Sequence, residues 1–449
     1  MFPMMKEELS FDLPEDVILK ILCRLPVKSL IRFSCVSKRW HTIIFFDPQF
    51  GKAHLKVASE LRTITRRLLL LKRSSLCAID TPKQSPRLQS SENSFRGNSL
   101  VRCLTMPSEE NITNVMAIQS LANSFGENSL VRNLTIPSQM NITNVMASCN
   151  GLVLLGTDHY DLSIWNPSTG FFRKLPAPDF SAIIKCEMIT GKHGVGYVSS
   201  TDDYIVLVIP ASFYPVDGDV NMFIFSMRAN SWKLSKVSGW FSLSYGRTSQ
   251  SGTLLNEAIH WANYHRYYRD GGLIEQIQIY AFDLANEESR QLPVPCFNQD
   301  DNGNGVEMQT VDRLGGCLCV LSWTWHPFRG MDQDSELWMM RDYGVSDSWM
   351  KLFKFSSNDL PEVFGSYRSW LPIVVTEDGA VVIKLIVEKE LIRIECRKEE
   401  KPVCRDRYRL EELHGCDFLF DVILYAETLL SVSECLNNGD LRPENNKQA

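Results

Sequence analysis

Apolar residues recur at every third or fourth position through "PEDVILKILCRL", residues 14–25, placing Val17, Ile18, Ile21, Leu22 and Leu25 on one face. That spacing predicts an amphipathic helix from about residue 14 to 24. Pro14 suits the first turn, Asp12 is a plausible cap, and Glu15 and Asp16 favour the positive end of the helix. "LPVK" interrupts the run, and Leu30, Ile31 and Phe33 begin a second pattern. "SKRWHTII" supplies a third short helix, with Ser37 as its candidate cap.

Beyond residue 150 the pattern changes to short apolar runs separated by polar turns. Four segments share one layout of strand, turn and strand: "LSIWNPSTGFFRKLP" from 162, "MFIFSMRANSWKLSKV" from 222, "IQIYAFDLANEESRQLP" from 277 and "ELWMMRDYGVSDSWMKLF" from 336. Each is preceded by a further strand, in turn "GLVLL", "YIVLVI", "AIHWA" and "CLCVLSW". Their spacing of roughly 55 to 60 residues is that of a four-stranded propeller blade, an arrangement that leaves few sticky edges. A β-sandwich with irregular insertions is the alternative. The pattern thus gives an α+β multidomain chain, a small all-α head followed by an all-β, propeller-like body.

The composition adds limits. With 449 residues, 44% hydrophobic and 22% charged, the chain has the make-up of a globular protein long enough for two domains. A net charge of -6 gives no footprint for nucleic acid. The first residues, "MFPMMKEELSFDLPED", lack the basic and apolar regions of a secretory signal. The aliphatic run "LLLL" at 68–71 is far too short to cross a bilayer. The expectation is a cytoplasmic or nuclear protein with no membrane partner. Thirteen scattered cysteines form no CxxC pair, so neither a disulfide framework nor a zinc ribbon is expected. The sequons at Asn111, Asn133 and Asn141 are read as chance.

A helical segment of about 40 residues rarely buries enough surface to fold alone. Residues 11–56 carry eight Lys and Arg against four Asp and Glu, in an otherwise acidic chain. Such a head suits an acidic partner surface, although it could equally pack on the rest of its own chain. "LPEDVILKILCRLPVKSLIRFSCVSKRW" resembles an F-box along its whole length. The resemblance implies docking onto a Skp-type adaptor and, through it, a cullin-based ubiquitin ligase. The adaptor-facing positions it implies are Leu13, Pro14, Ile18, Ile21, Leu25, Pro26, Val27, Leu30, Val36 and Trp40.

The body resembles the plant F-box associated domain in its kelch-like, S-locus-related branch. The resemblance rests on "SCNGLVLL", "IWNPSTGFFRKLP", "FSMRANSWKL", "AIHW", "AFDLANEESRQLPVP", "LGGCLCVL" and "LWMMRDYGVSDSWMKLF". It implies a substrate receptor whose target is a protein not named by the sequence. The domain limits expected are a tail over 1–10, an F-box over 11–55, the propeller-like domain over 56–435 and a disordered polar tail over 436–449. One departure is a tandem copy: "NSFRGNSLVRCLTMPSEENITNVMA" at 93–117 recurs as "NSFGENSLVRNLTIPSQMNITNVMA" at 123–147. The second copy runs directly into "SCNGLVLL", so the first (89–117, against 119–147) reads as an insertion.

In a four-stranded blade the connections between second and third strands emerge on one face. Here they are "GTDHYD" at 156, "PASFYPVDGD" at 210, "NYHRYYRDGG" at 263 and "WTWHPFRGMDQD" at 323. Tyr264, His265, Tyr267, Tyr268, Trp323, Trp325, His326 and Arg329 are residue types that dominate binding hot spots, and they are the candidate target-binding surface. The same aromatics could instead fill gaps between blades. No HExxH, GxSxG or GxxxxGK[ST] occurs, so no catalytic residue and no cofactor is expected. "DDNGNG" from Asp300 resembles the start of a calcium loop, but Val311 stands where a bidentate Glu is required. A non-ubiquitin binding or scaffolding propeller is the alternative function.

Overall fold

The computed structural model describes residues 13–72, 75–80, 101–105, 132–133, 142–157, 161–178, 191–210, 220–237, 251–269, 272–297, 305–325, 333–356, 370–375, 380–385, 390–395, 402–409 and 421–431. The expected disordered tail, the first ten residues and Asp12 lie outside them.

Four helices lead the chain: α1 (Glu15–Leu22), α2 (Val27–Phe33), α3 (Lys38–Phe46) and α4 (Pro48–Glu60). Pro14 is the N-cap of α1 and Pro26 that of α2, both with extended ψ and neither with a side-chain cap. Ser37 caps α3 as its position suggests, its hydroxyl oxygen accepting from the Trp40 N–H at 3.1 Å. The fourth helix was not read from apolar spacing. Its start is local chemistry: Asp47 accepts from the N–H groups of Gln49 (2.9 Å) and Phe50 (3.2 Å), and Pro48 occupies the first turn. The helical part therefore continues past residue 55, to Glu60.

Five four-stranded antiparallel meanders make up most of the body. The first is β5 (Ile142–Cys149), β6 (Leu152–Thr157), β7 (Leu162–Trp165) and β8 (Phe172–Lys174). The second is β9 (Lys192–Val198), β10 (Asp203–Ile209), β11 (Val220–Ser226) and β12 (Ser231–Val237). The third is β13 (Thr253–Leu255), β14 (Ala258–Arg269), β15 (Gly272–Asp283) and β16 (Glu288–Leu292). The fourth is β17 (Gly305–Leu314), β18 (Cys317–Trp325), β19 (Gln333–Met340) and β20 (Trp349–Ser356). The fifth is β21 (Trp370–Val375), β22 (Val381–Leu385), β23 (Glu390–Glu395) and β24 (Val403–Arg409). All four hairpins anticipated from the sequence are present. The fifth blade is weak in the pattern.

A closing sheet unites the two ends of the chain. β1 (Arg66–Lys72) pairs with β2 (Ser75–Asp80) on one side and with β25 (Asp421–Ala426) on the other, from Arg66↔Ala426 to Leu71↔Asp421. Both β3 (Val101–Thr105) and β4 (Arg132–Asn133) pair with β2. Inner strands contact one another in a circle, β25 to β5, β5 to β9, β9 to β14 (the second strand of the third blade, whose short β13 also meets β9 and β17), β14 to β17, β17 to β21 and β21 back to β25. The body is thus a β-propeller of five blades plus a closing sheet, and apolar clusters fill the wedges between neighbouring sheets.

Two latches repeat around the ring. The Trp232 indole N–H, on the outer strand β12, donates to the Pro176 carbonyl after β8 at 2.7 Å. The Trp349 N–H, opening β20, donates in the same way to Pro293 after β16 at 3.0 Å. Beside each lies an arginine three residues before the proline. Arg173 donates to Asn230 at 2.6 Å, and Arg290 donates to the Tyr343 hydroxyl at 3.0 Å while lying over its ring. The indole serves two purposes here, apolar bulk between blades and a polar tip that donates to a proline carbonyl.

The head is joined to the propeller by the segment that follows β25. Leu429 is buried in the head's core with Leu22, Val27, Leu30, Ile43, Ile44 and Phe50. Leu430 is buried in the core of the first two blades. Asn166 donates to the carbonyls of Thr428 (3.1 Å) and Leu430 (2.8 Å), and the Thr428 hydroxyl donates to the Asn150 carbonyl at 2.9 Å. Asn150 and Gly151 form the two-residue turn between β5 and β6 with φ of 50° and 86°. A Cβ on Gly151 would meet Thr428, and one on Gly51 of α4 would meet the Leu429 carbonyl at 3.0 Å. A buried ion pair, Arg67 to Glu427 at 2.6 Å, and an exposed one, Lys52 to Asp202 at 2.8 Å, flank the joint.

Candidate docking head and propeller rim

The ten positions that the F-box resemblance marks fall into three groups. Leu13, Pro14, Ile21, Pro26 and Val36 are exposed, Leu13 by 56% and Val36 by 66%. Ile18, Leu25 and Trp40 are half-buried against the head's core. Val27 and Leu30 turn inward and are buried, as the inner face of a seven-residue helix over Ile43 and Ile44 requires. They hold the head together rather than face outward.

Among the described residues, six of the ten large exposed hydrophobics lie on or beside the four helices: Leu13, Ile21, Phe33, Val36, Phe46 and Leu61. Phe33 and Phe46 were not among the expected positions. The signal for Phe33 was present in its packing partner: its ring meets Trp40 edge to face at 5.9 Å, which holds both rings at the margin of the core. Charges border the apolar positions, with Arg39 to Glu15 at 2.7 Å and Lys20 to Asp16 at 3.3 Å.

On the propeller, the expected target-binding residues are placed differently from the sequence reading. Tyr264, His265, Tyr267 and Tyr268 belong to strand β14, whose ladder with β15 continues to Arg269↔Gly272. They were read as a connection because the stretch is polar. The β-forming tyrosines keep the ladder intact, and Asp270-Gly271 is the two-residue hairpin signal. Trp323 and Trp325 likewise lie in β18, opposite Ser335 and Gln333 of β19. The two hairpins join second and third strands of neighbouring blades, so they extend from the same side of the ring. His326 and Arg329 lie outside the described residues.

Buried polar groups in the propeller serve packing. The His260 Nε2 lies 2.6 Å from the Tyr343 hydroxyl and its Nδ1 3.1 Å from the Thr253 carbonyl. Burial pushes the His260 imidazole down to about 4, against weaker support from its backbone hydrogen bonds. His193 is held at 2.6 Å from the Met146 carbonyl, and burial lowers it also to about 4. Lys192 donates to the Ala262 carbonyl at 2.9 Å, and burial lowers its ammonium to about 7. No group of three or more His, Cys, Asp or Glu able to hold a metal occurs among the described residues. No helix there is long and apolar enough to cross a membrane.

Comparison with known families agrees with both parts. The F-box domain family matches residues 10–47, and the F-box associated beta propeller domain family matches residues 103–432. The chain belongs to the F-box proteins that carry an F-box associated β-propeller. Among relatives of this F-box propeller protein, F-box protein CPR1 of Arabidopsis thaliana is 26% identical, covering 96% of this chain and 92% of its own. The F-box/kelch-repeat protein At3g23880 of the same plant is 25% identical, over 76% of this chain and 79% of its own. Of solved structures, the C-terminal WD40 domain of Sif2 is a distant likeness at 13% identity and a TM-score of 0.33, covering 77% of this chain and 83% of that one. The propeller family match begins inside the first tandem copy and spans the second.

Proposed function

We propose that this F-box propeller protein is the substrate-recognition subunit of a Skp-cullin-F-box ubiquitin ligase. The observation that carries the reading is the set of large apolar side chains left exposed on an otherwise well-packed head, Leu13, Ile21, Phe33 and Val36. Exposed apolar groups gathered on one small element, rimmed by charge, mark a protein interface. The Skp-type adaptor covers them and brings the cullin. The propeller holds a target protein on the side from which the β14–β15 and β18–β19 hairpins extend. The subunit itself performs no bond chemistry. It raises the local concentration of target lysines near the conjugating enzyme, an effect of tethering. Such a receptor works in the cytoplasm or nucleus.

Co-purification with a plant Skp-type adaptor tests this. The parent binds, and a variant carrying Leu13→Ala, Ile21→Ala and Val36→Ala loses binding while keeping its melting temperature. Val27→Ala, a core change, lowers head stability instead. Absence of binding by a folded parent would overturn the reading and move the scaffolding propeller ahead.

A further inference from the structure

The helix α4 falls between the two family matches, after residue 47 and before residue 103, yet it touches both parts of the molecule. On one side a Cβ on Gly51 would meet the Leu429 carbonyl at 3.0 Å, so the helix backbone lies against the segment that joins head to propeller. Lys52 reaches Asp202 at 2.8 Å in the turn between β9 and β10, where the Tyr197 hydroxyl also donates to Asp202 at 2.7 Å. On the other side His54 places its Nε2 2.8 Å from the Leu25 carbonyl. Leu25 and Pro26 close the link between α1 and α2, and Pro26 is exposed.

A carbonyl only accepts, so Nε2 of His54 carries the proton and Nδ1 the lone pair. The residue is buried, and among the described residues its Nδ1 has no hydrogen-bond partner. For packing alone a leucine would fill this place without burying an unpaired acceptor. What the imidazole adds is one N–H, and that N–H goes to the link between the helices. The Leu25–Pro26 peptide has no N–H of its own, so the Leu25 carbonyl is its only hydrogen-bonding group. The chain on both sides is already fixed, the Leu25 N–H donating to the Leu22 carbonyl at 3.0 Å and the Pro26 carbonyl accepting from Ser29 (2.9 Å) and Leu30 (3.1 Å). The direction of the Leu25 carbonyl therefore sets how the Leu25 side chain and the Pro26 ring are presented.

We infer that His54 is a positioning residue for adaptor docking, and that α4 is the element that ties the Leu25–Pro26 link to the propeller. The inference rests on the function proposed above. An adaptor then meets a link that is already ordered, so binding carries less of the ordering entropy. Because the same helix is seated on Leu429, the docked adaptor also takes a fixed direction relative to the blades.

Titration of the full chain with a plant Skp-type adaptor tests this, with melting curves recorded for every variant. His54→Leu, which keeps the bulk and removes the donor, should weaken binding about tenfold. His54→Phe is a second variant without the donor and should behave alike. His54→Gln, whose side-chain amide can donate to the Leu25 carbonyl, should bind within about threefold of the parent. Ile44→Val, a core change that lowers head stability without touching this carbonyl, should also stay within about threefold. Donor-free variants that bind like the parent would overturn the inference while leaving the proposed function intact. It would equally be overturned by a Gln variant as weak as the Leu variant, by an Ile44→Val variant as weak as either, or by failure of both donor-free variants to fold. A folded parent that does not bind the adaptor would instead remove the proposed function, and this inference with it.

Discussion

Leu429 and Leu430 are neighbours in the chain whose side chains complete different cores, the first that of the helical head and the second that of the opening blades. Each buried leucine cut to alanine costs about 2–5 kcal/mol. Leu429→Ala should therefore destabilise the head, and Leu430→Ala the propeller. Hydrogen exchange resolves the two: faster exchange in α1–α4 for the first, and in β5–β8 and β9–β12 for the second. Identical exchange patterns would contradict the division of roles.

The two tryptophan latches are expected to act independently. Trp232→Phe and Trp349→Phe each remove one hydrogen bond to a proline carbonyl while keeping most of the ring, at a cost of about 1 kcal/mol each. The pairs lie in separate wedges of the ring, so the double variant should lose close to the sum, within about 0.5 kcal/mol. Urea unfolding of the three variants provides the measurement.

Stability should fall on mild acidification. Burial holds His193 and His260 down to about 4, against 6.5 for a free imidazole. Below pH 6.5 the unfolded chain takes up protons that the folded chain refuses. The full contribution is present above pH 6.5 and is lost as pH falls toward 4, at a limiting slope of about 1.4 kcal/mol per pH unit for each histidine. Unfolding midpoints at pH 7.5, 6 and 5 should decline in that order. His260→Gln, which can keep a hydrogen bond to Tyr343, should make the decline shallower, and an unchanged slope would remove His260 from the account.

Deleting residues 88–117 should leave the propeller folded, because the second copy retains both a strand for the outer edge of β2 and the direct run into β5. The deletion variant should express in soluble form and melt within a few degrees of the parent. Insoluble expression would refute this.

How much of this was legible from residues alone depended on how local the cause was. Val17, Ile18, Ile21 and Leu22 announce α1 by spacing, and Ser37 announces α3 by its cap. The start of α4 was equally local, in Asp47 and Pro48, yet its apolar positions are too sparse to mark a face. The hairpins around Asn166, Asn230 and Glu287 could be read from their turns. The pairing of β1 with β25 could not, since nothing near Arg67 identifies Tyr425 as its partner. The outward F-box positions were half legible for a related reason. The F-box resemblance groups Val27 and Leu30 with Leu25 and Pro26, but only the placement of Ile43 and Ile44 decides which of them turn inward.

The joint at Leu429 has a consequence for synthesis on the ribosome. The helices of the head are made long before Leu429, so their core waits for a residue made almost four hundred positions later. A nascent chain stalled before β25 lacks both the strand that closes the ring and the leucine that finishes the head. Maturation of the head is therefore gated by the arrival of Leu429, and a product terminated before it cannot present a completed head.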